Sequence, residues 1–188
     1  YSIDPTTFVD DDGSAYMYFG GIWGGQLQQW ESGEFDPQGS LTDLGVATNP
    51  AIMPRMAKLK DNMLEFDEEV KHIQILNQSG KPILTKELEI RFFEAPWIHK
   101  IGDVYYLSYS TGDTHNLVYA TGDNPYGPFT FQGILGEPVQ GWTNHHSTIK
   151  INDQWYLFYH DTEISGKTHI RNVKFSRFKH NDHGSIST

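Results

Sequence analysis

Three stretches of the chain share one pattern of apolar and polar positions. They are F-V-D-D-D-G-S-A-Y-M-Y-F-G (Phe8 to Gly20), W-I-H-K-I-G-D-V-Y-Y-L-S-Y-S (Trp97 to Ser110) and T-I-K-I-N-D-Q-W-Y-L-F-Y-H (Thr148 to His160). Each reads as a short strand, a tight polar turn and an aromatic-rich strand, the signature of a β-hairpin. Gly13, Gly102 and Asn152 supply the turn residue that tolerates positive φ, and Tyr16, Tyr105 and Trp155 follow at equal offsets. The turns lie 89 and 50 residues apart. Fifty matches one propeller blade of about 40–50 residues, and the longer spacing is one blade plus an insertion. The pattern breaks within Ala51–Leu88, which predicts the insertion there, and M-P-R-M-A-K-L-K-D (Met53 to Asp61) predicts a short helical turn near Pro54. Outer strands are expected at 26–30, 72–76, 117–121, 129–132 and 169–175, with a loop at Asn124–Phe129.

A β-sandwich also carries hairpins, but aromatics aligned across all three repeats favour an all-β propeller. Three blades do not close a ring, since propellers have typically about 4–8. The chain opens directly on Tyr1-Ser2-Ile3-Asp4-Pro5, the first strand of a blade, and so reads as the C-terminal part of a longer protein.

Composition narrows the function. A formal net charge of -10 leaves no basic surface to neutralise nucleic-acid phosphates or to meet an anionic membrane. Cysteine is absent, which removes disulfides, thiolate nucleophiles and Cys-ligated metals. No apolar run is long enough to span a bilayer, and no signal peptide opens the chain. Because the true N-terminus is expected to lie upstream, the compartment stays unknown. Aromatic residues reach 14%, which suits surfaces that stack on sugars.

The innermost strand of each blade lines a propeller's channel, so titratable residues just before each turn are candidates for chemistry. Asp4 lies 9 residues before Gly13, Glu94 lies 8 before Gly102, and His145 lies 7 before Asn152. These three are expected at equivalent places, converging near the axis. Two carboxyls facing one pocket are the minimum equipment for glycoside hydrolysis. Glu94, in F-F-E-A-P-W, sits among aromatics that would desolvate it and favour its protonated form. His145 and His146, adjacent on a strand, point to opposite faces and cannot serve one site together. Asp10-Asp11-Asp12-Gly13 looks like the start of a calcium loop, but Gly21 stands where an EF-hand needs an acid, so a hairpin turn is the better reading. Asp36-Pro37 reads as another turn. No nucleophile elbow, phosphate-binding loop or H-E-x-x-H occurs.

The chain resembles glycoside hydrolase family 43. The resemblance rests on I-D-P-T-T-F-V-D-D-D-G, F-F-E-A-P-W-I-H-K, Y-Y-L-S-Y-S-T-G, G-W-T-N-H-H-S and W-Y-L-F-Y-H, in the family's order and across nearly the whole chain. Their wording is similar to the β-xylosidase and α-L-arabinofuranosidase branch. The resemblance implies a five-bladed propeller hydrolysing with inversion, of which residues 1–188 cover about three blades, the third to the fifth. It places the general acid on Glu94 and, on Asp4, the carboxylate that tunes and orients that acid. It matches the family's channel histidine to His145, directly or through water a support for one Ca2+, and its substrate-contacting arginine to Arg171. Trp97 is expected to pack a ring face on the sugar. The family's general base belongs to the first blade and has no counterpart here. The implied substrates are xylo- or arabino-oligosaccharides, with no organic cofactor, and the implied partners are the missing blades or another copy of the chain. A sugar-binding propeller without turnover, and a half-propeller needing a partner chain, are the alternatives.

Overall fold

The computed structural model describes residues 2–21, 48–111, 114–142, 144–181 and 184–187. Within them the chain is all β and contains no helix. Three antiparallel hairpins seed three sheets. The first sheet has the order β1 (Ile3–Val9), β2 (Ala15–Gly20), β3 (Arg55–Lys58) and β4 (Lys71–His72). The second runs β6 (Phe92–Ile101), β7 (Val104–Thr111), β8 (Leu117–Gly122) and β9 (Phe129–Gly136), with β5 (Ile75–Leu76) parallel on its outer edge. The third has β10 (Ser147–Ile151), β11 (Gln154–Asp161), β12 (Asn172–His180) and β13 (Ile186–Ser187). This is the blade pattern of the expected five-bladed propeller, with about three blades present.

The turns form where positive φ is available: φ is 84° at Gly13, 56° at Gly102, and 48° and 63° at Asn152 and Asp153. The Asp-rich segment closes a hairpin. Asp10 N–H donates to Ser14 O at 2.8 Å, and Ser14 N–H to Asp12 Oδ1 at 2.8 Å. Lys100 Nζ then pins the turn to the second sheet through Asp10 Oδ1 (2.6 Å) and Asp11 Oδ2 (2.8 Å).

Strand β7 explains why Y-Y-L-S-Y-S is buried throughout. Tyr105, Leu107 and Tyr109 face the first sheet and join Tyr16, Tyr18, Phe92 and Ile98 in one apolar cluster. On the opposite face Tyr106 joins Tyr119, Leu135, Leu157 and Phe178 against the third sheet. A strand packed on both faces is what stacked blades require, and the alternation in size and polarity follows from the two-residue period.

The segment after Pro50 departs from expectation. Residues 55–58 form β3 on the edge of β2, where Met56 is 1% and Ala57 0% exposed; no helical turn forms at Met53–Asp61. The unpaired edge of β2 and the core beneath Met56 outweigh a local helical preference. The stretch 51–88 is therefore not an insertion between blades. It completes the first sheet with β3 and β4 and lends β5 to the second. The expected strand 72–76 is split between those sheets. The expected strand 169–175 lies instead at Asn172–His180, because Lys167–Ile170 closes a turn. Strands at 117–121 and 129–132 and the loop at Asn124–Phe129 form as expected. The expected strand 26–30 and the turn at Asp36-Pro37 lie outside the described residues. No helix of the described residues is long and apolar enough to cross a membrane.

Two buried imidazoles make stability depend on acid. His99 (7% exposed) and His146 (3%) are each pushed down to about 3, chiefly by burial, with neighbouring histidines adding to it. The unfolded chain takes up these protons near 6.5, the folded chain only near 3. Their neutral, buried state therefore supports the fold fully above about pH 6.5, and that support declines as pH falls from there toward 3. At pH 5 the loss is roughly 2 kcal/mol per histidine. Urea midpoints at pH 7.5 and 5 are expected to drop accordingly. A His99→Gln variant that stays folded is expected to flatten this dependence, and an unchanged slope would contradict it.

Candidate active site

Asp4 and Ala95 hold matching irregularities in the inner strands. Pairing in the first sheet runs Thr6↔Tyr18 and then Ile3↔Gly20, and in the second Trp97↔Ser108 and then Glu94↔Ser110, so each inner strand carries one extra residue. Such a bulge re-aims side chains. Both bulged residues are left-handed, with φ 55° at Asp4 and 58° at Ala95, and both precede a proline. For a residue with a Cβ that conformation costs roughly 1–2 kcal/mol, a strain found repeatedly where a side chain must be aimed.

Aligned on their bulges, Asp4 matches Ala95 and Ile3 matches Glu94; counted outward from the two-residue hairpin loops, Ala95 matches His145 and Glu94 matches Asn144. The expected equivalence of Asp4, Glu94 and His145 is thus off by one for Glu94. The first hairpin has a five-residue loop between Val9 and Ala15 and the others have two, which blurs any count made from the turn alone.

The half-buried Asp4 carboxylate nevertheless joins all three sheets. Its Oδ2 accepts the Ala95 N–H at 3.2 Å, immediately beside Glu94, and its Oδ1 lies 3.4 Å from His145 Nδ1. Burial opposes its ionisation. The His145 hydrogen bond and charge, the Ala95 N–H and the Arg171 charge outweigh burial and hold Asp4 below the usual carboxylate range. Asp4 is therefore an anion at neutral pH, bonded to the backbone N–H that follows Glu94.

The other expected site residues divide. His145 and His146 point apart, as predicted: His145 faces Asp4, whereas His146 is enclosed, with Nε2 2.6 Å from Ser108 Oγ. Arg171 is exposed and precedes β12 instead of lying on a strand, and its charge reaches both Asp4 and His160. Trp97 donates its indole N–H to Thr148 Oγ1 at 3.0 Å, which ties the second sheet to the third. Sequence reasoning passed over Asn144 and His160, which flank His145. Both stand at register positions equivalent to Glu94 and Ser110, a signal that appears only once strand pairing is counted.

Comparison with known proteins places this geometry. The profile of the glycosyl hydrolases family 43 matches residues 1–186. The chain belongs to that family. The xylosidase/arabinosidase 43A of Humicola insolens is 53% identical to it over 194 residues, covering 100% of this chain and 59% of that protein. A family 43 β-xylosidase/α-arabinofuranosidase from a compost microbial metagenome, solved with xylotriose in a calcium-free form, superposes with a TM-score of 0.92 at 58% identity, over 100% of this chain and 58% of that one. A GH43_1 enzyme from Xanthomonas citri, complexed with xylotriose, gives 0.90 at 47%, over 100% and 56%. This family 43 chain thus spans under three-fifths of the length of these relatives.

Proposed function

We propose that these residues form the acid side of a glycosidase centre that releases xylose or arabinose from xylan-derived oligosaccharides with inversion. One observation carries the reading: the Asp4 carboxylate is bonded at once to the N–H beside Glu94 and to His145. In this reading Glu94 protonates the glycosidic oxygen as its bond to the anomeric carbon breaks. Asp4, already anionic, keeps the proton on Glu94, because a nearby like charge disfavours a second ionisation. Water attacks the anomeric carbon from the opposite face and gives its proton to a base about 6.5–9.5 Å from the acid. That base is a residue of the first blade, outside residues 1–188, which supply the third to fifth blades. Arg171 binds sugar hydroxyls, and Trp97 offers a ring face. Similarity to proteins solved with xylotriose supports the substrate class.

A calcium ion is part of the reading. Among the described residues no three His, Cys, Asp or Glu side chains gather into a cage. In this reading His145 supports a cation held mostly by water, which would supply positive charge to the channel. Calorimetry on the complete enzyme is expected to show one calcium per chain, weakened by His145→Ala; zinc held by three protein ligands would contradict this.

Proton NMR of the first product tests the reaction itself. A β-xyloside is expected to yield α-xylose first, whereas β-xylose first would show retention and sink the scheme.

A further inference from the structure

The segment that carries His145 has left the β10 ladder, whose pairing ends at Ser147↔Phe158. In the other two sheets the equivalent inner-strand residues still pair through the backbone, as Ile3↔Gly20 and Glu94↔Ser110. In the third sheet side chains take over. The His160 ring accepts the His145 N–H through Nε2 at 3.0 Å, and the His160 N–H donates to Asn144 Oδ1 at 3.3 Å. Two neighbouring residues are thus held from both directions by one residue at the end of β11, much as a capping box ties a chain end reciprocally.

We propose that His160 is a positioning residue: its reciprocal clamp on Asn144 and His145 fixes the His145 ring against Asp4, and through Asp4 fixes the acid segment at Glu94. The inference rests on the glycosidase reading above and adds a residue to it. Accepting at Nε2 requires that nitrogen to be unprotonated, so the single ring proton of His160 lies on Nδ1.

The geometry is direct. One hydrogen bond separates His160 from the His145 backbone, and 3.4 Å separates the His145 ring from the carboxylate that also holds Ala95. Small displacements of a positioned acid cost rate far more than affinity.

The test uses the complete enzyme and xylosides with good and poor leaving groups. His160→Leu removes the acceptor, and His160→Gln keeps one at similar reach. His160→Leu is expected to lower kcat on poor leaving groups about 10- to 100-fold, with KM within about threefold and good leaving groups less affected. His160→Gln is expected to recover most of the loss. Should His160→Leu not fold, Asn144→Ala, which cuts the other half of the clamp, is expected to give a smaller loss with the same leaving-group bias. Full kcat in folded His160→Leu or in Asn144→Ala, or equal losses in His160→Leu and His160→Gln, would overturn the proposal. Glu94→Gln run in parallel separates the layers. If Glu94→Gln is inactive while His160→Leu is normal, only the clamp fails; if Glu94→Gln is fully active, the glycosidase reading itself fails.

Discussion

In the complete enzyme, Glu94→Ala is expected to abolish hydrolysis of xylosides with poor leaving groups while sparing much of the activity on those with good ones. The reason is the proton. An alkoxide-like leaving oxygen needs protonation as the bond breaks, and a positioned acid contributes about 10²–10⁴-fold; a nitrophenolate leaves without that help. The structure places Glu94 beside the Ala95 N–H that Asp4 binds, so losing the Glu94 carboxyl removes the proton donor and leaves the Asp4–His145 pair in place. Asp4→Asn is expected to resemble it more weakly, through a misplaced acid. Equal losses on both substrate types would show that Glu94 is not the acid. Steady-state rates on a series of aryl xylosides spanning leaving-group pKa check this.

The 188-residue chain, expressed as such, is expected to turn over aryl xylosides and arabinosides at least about 10²-fold more slowly than the complete enzyme, because in the proposed reading the base lies outside residues 1–188. Its behaviour in solution should be as distinctive. The outer face of the third sheet exposes Ile149, Ile151, Val173 and Phe175, with Val173 78% and Phe175 60% open. On the other flank Ile3, Pro5, Met17, Phe19 and Phe66 line an apolar hollow beside the first sheet. Faces of this kind are covered by neighbouring blades in a closed ring, and left open they associate. Size-exclusion chromatography is expected to show oligomers or poor recovery. A soluble monomer with turnover near that of a complete family enzyme would overturn both expectations, and would mean that another carboxylate in the chain acts as base.

Much of this architecture is visible in the sequence because hairpins are local. A turn residue with positive φ and two strands with a two-residue period fix a hairpin without reference to the rest of the molecule, and all three form where they were expected. The strands β3, β4 and β5 are two to four residues long. They have no room to display a period, and they exist because β2 and β9 have edges to fill, a tertiary cause that propensity at Met53–Asp61 does not carry. Asp4 and Glu94 stand out because Asp4 directly precedes Pro5 at the start of a hairpin strand and Glu94 sits among the aromatics of F-F-E-A-P-W, an unusual place for a carboxylate. His160 does not stand out. It ends an aromatic strand like any polar residue, and its part in holding His145 appears only when β10 is seen to leave its ladder two residues early. The one-residue offset between Asp4 and Glu94 was hidden in the same way, by a longer turn and a bulge whose effects partly cancel.

A crystal structure of the complete Glu94→Gln enzyme with xylotriose tests the central claim most directly. The account predicts the amide at position 94 within about 2.6–3.2 Å of the glycosidic oxygen between the first two sugars, with Asp4 still bonded to the Ala95 N–H and the His145 ring beside it. Xylotriose bound with that oxygen out of reach of position 94, or Asp4 and His145 turned to separate surfaces, would contradict it.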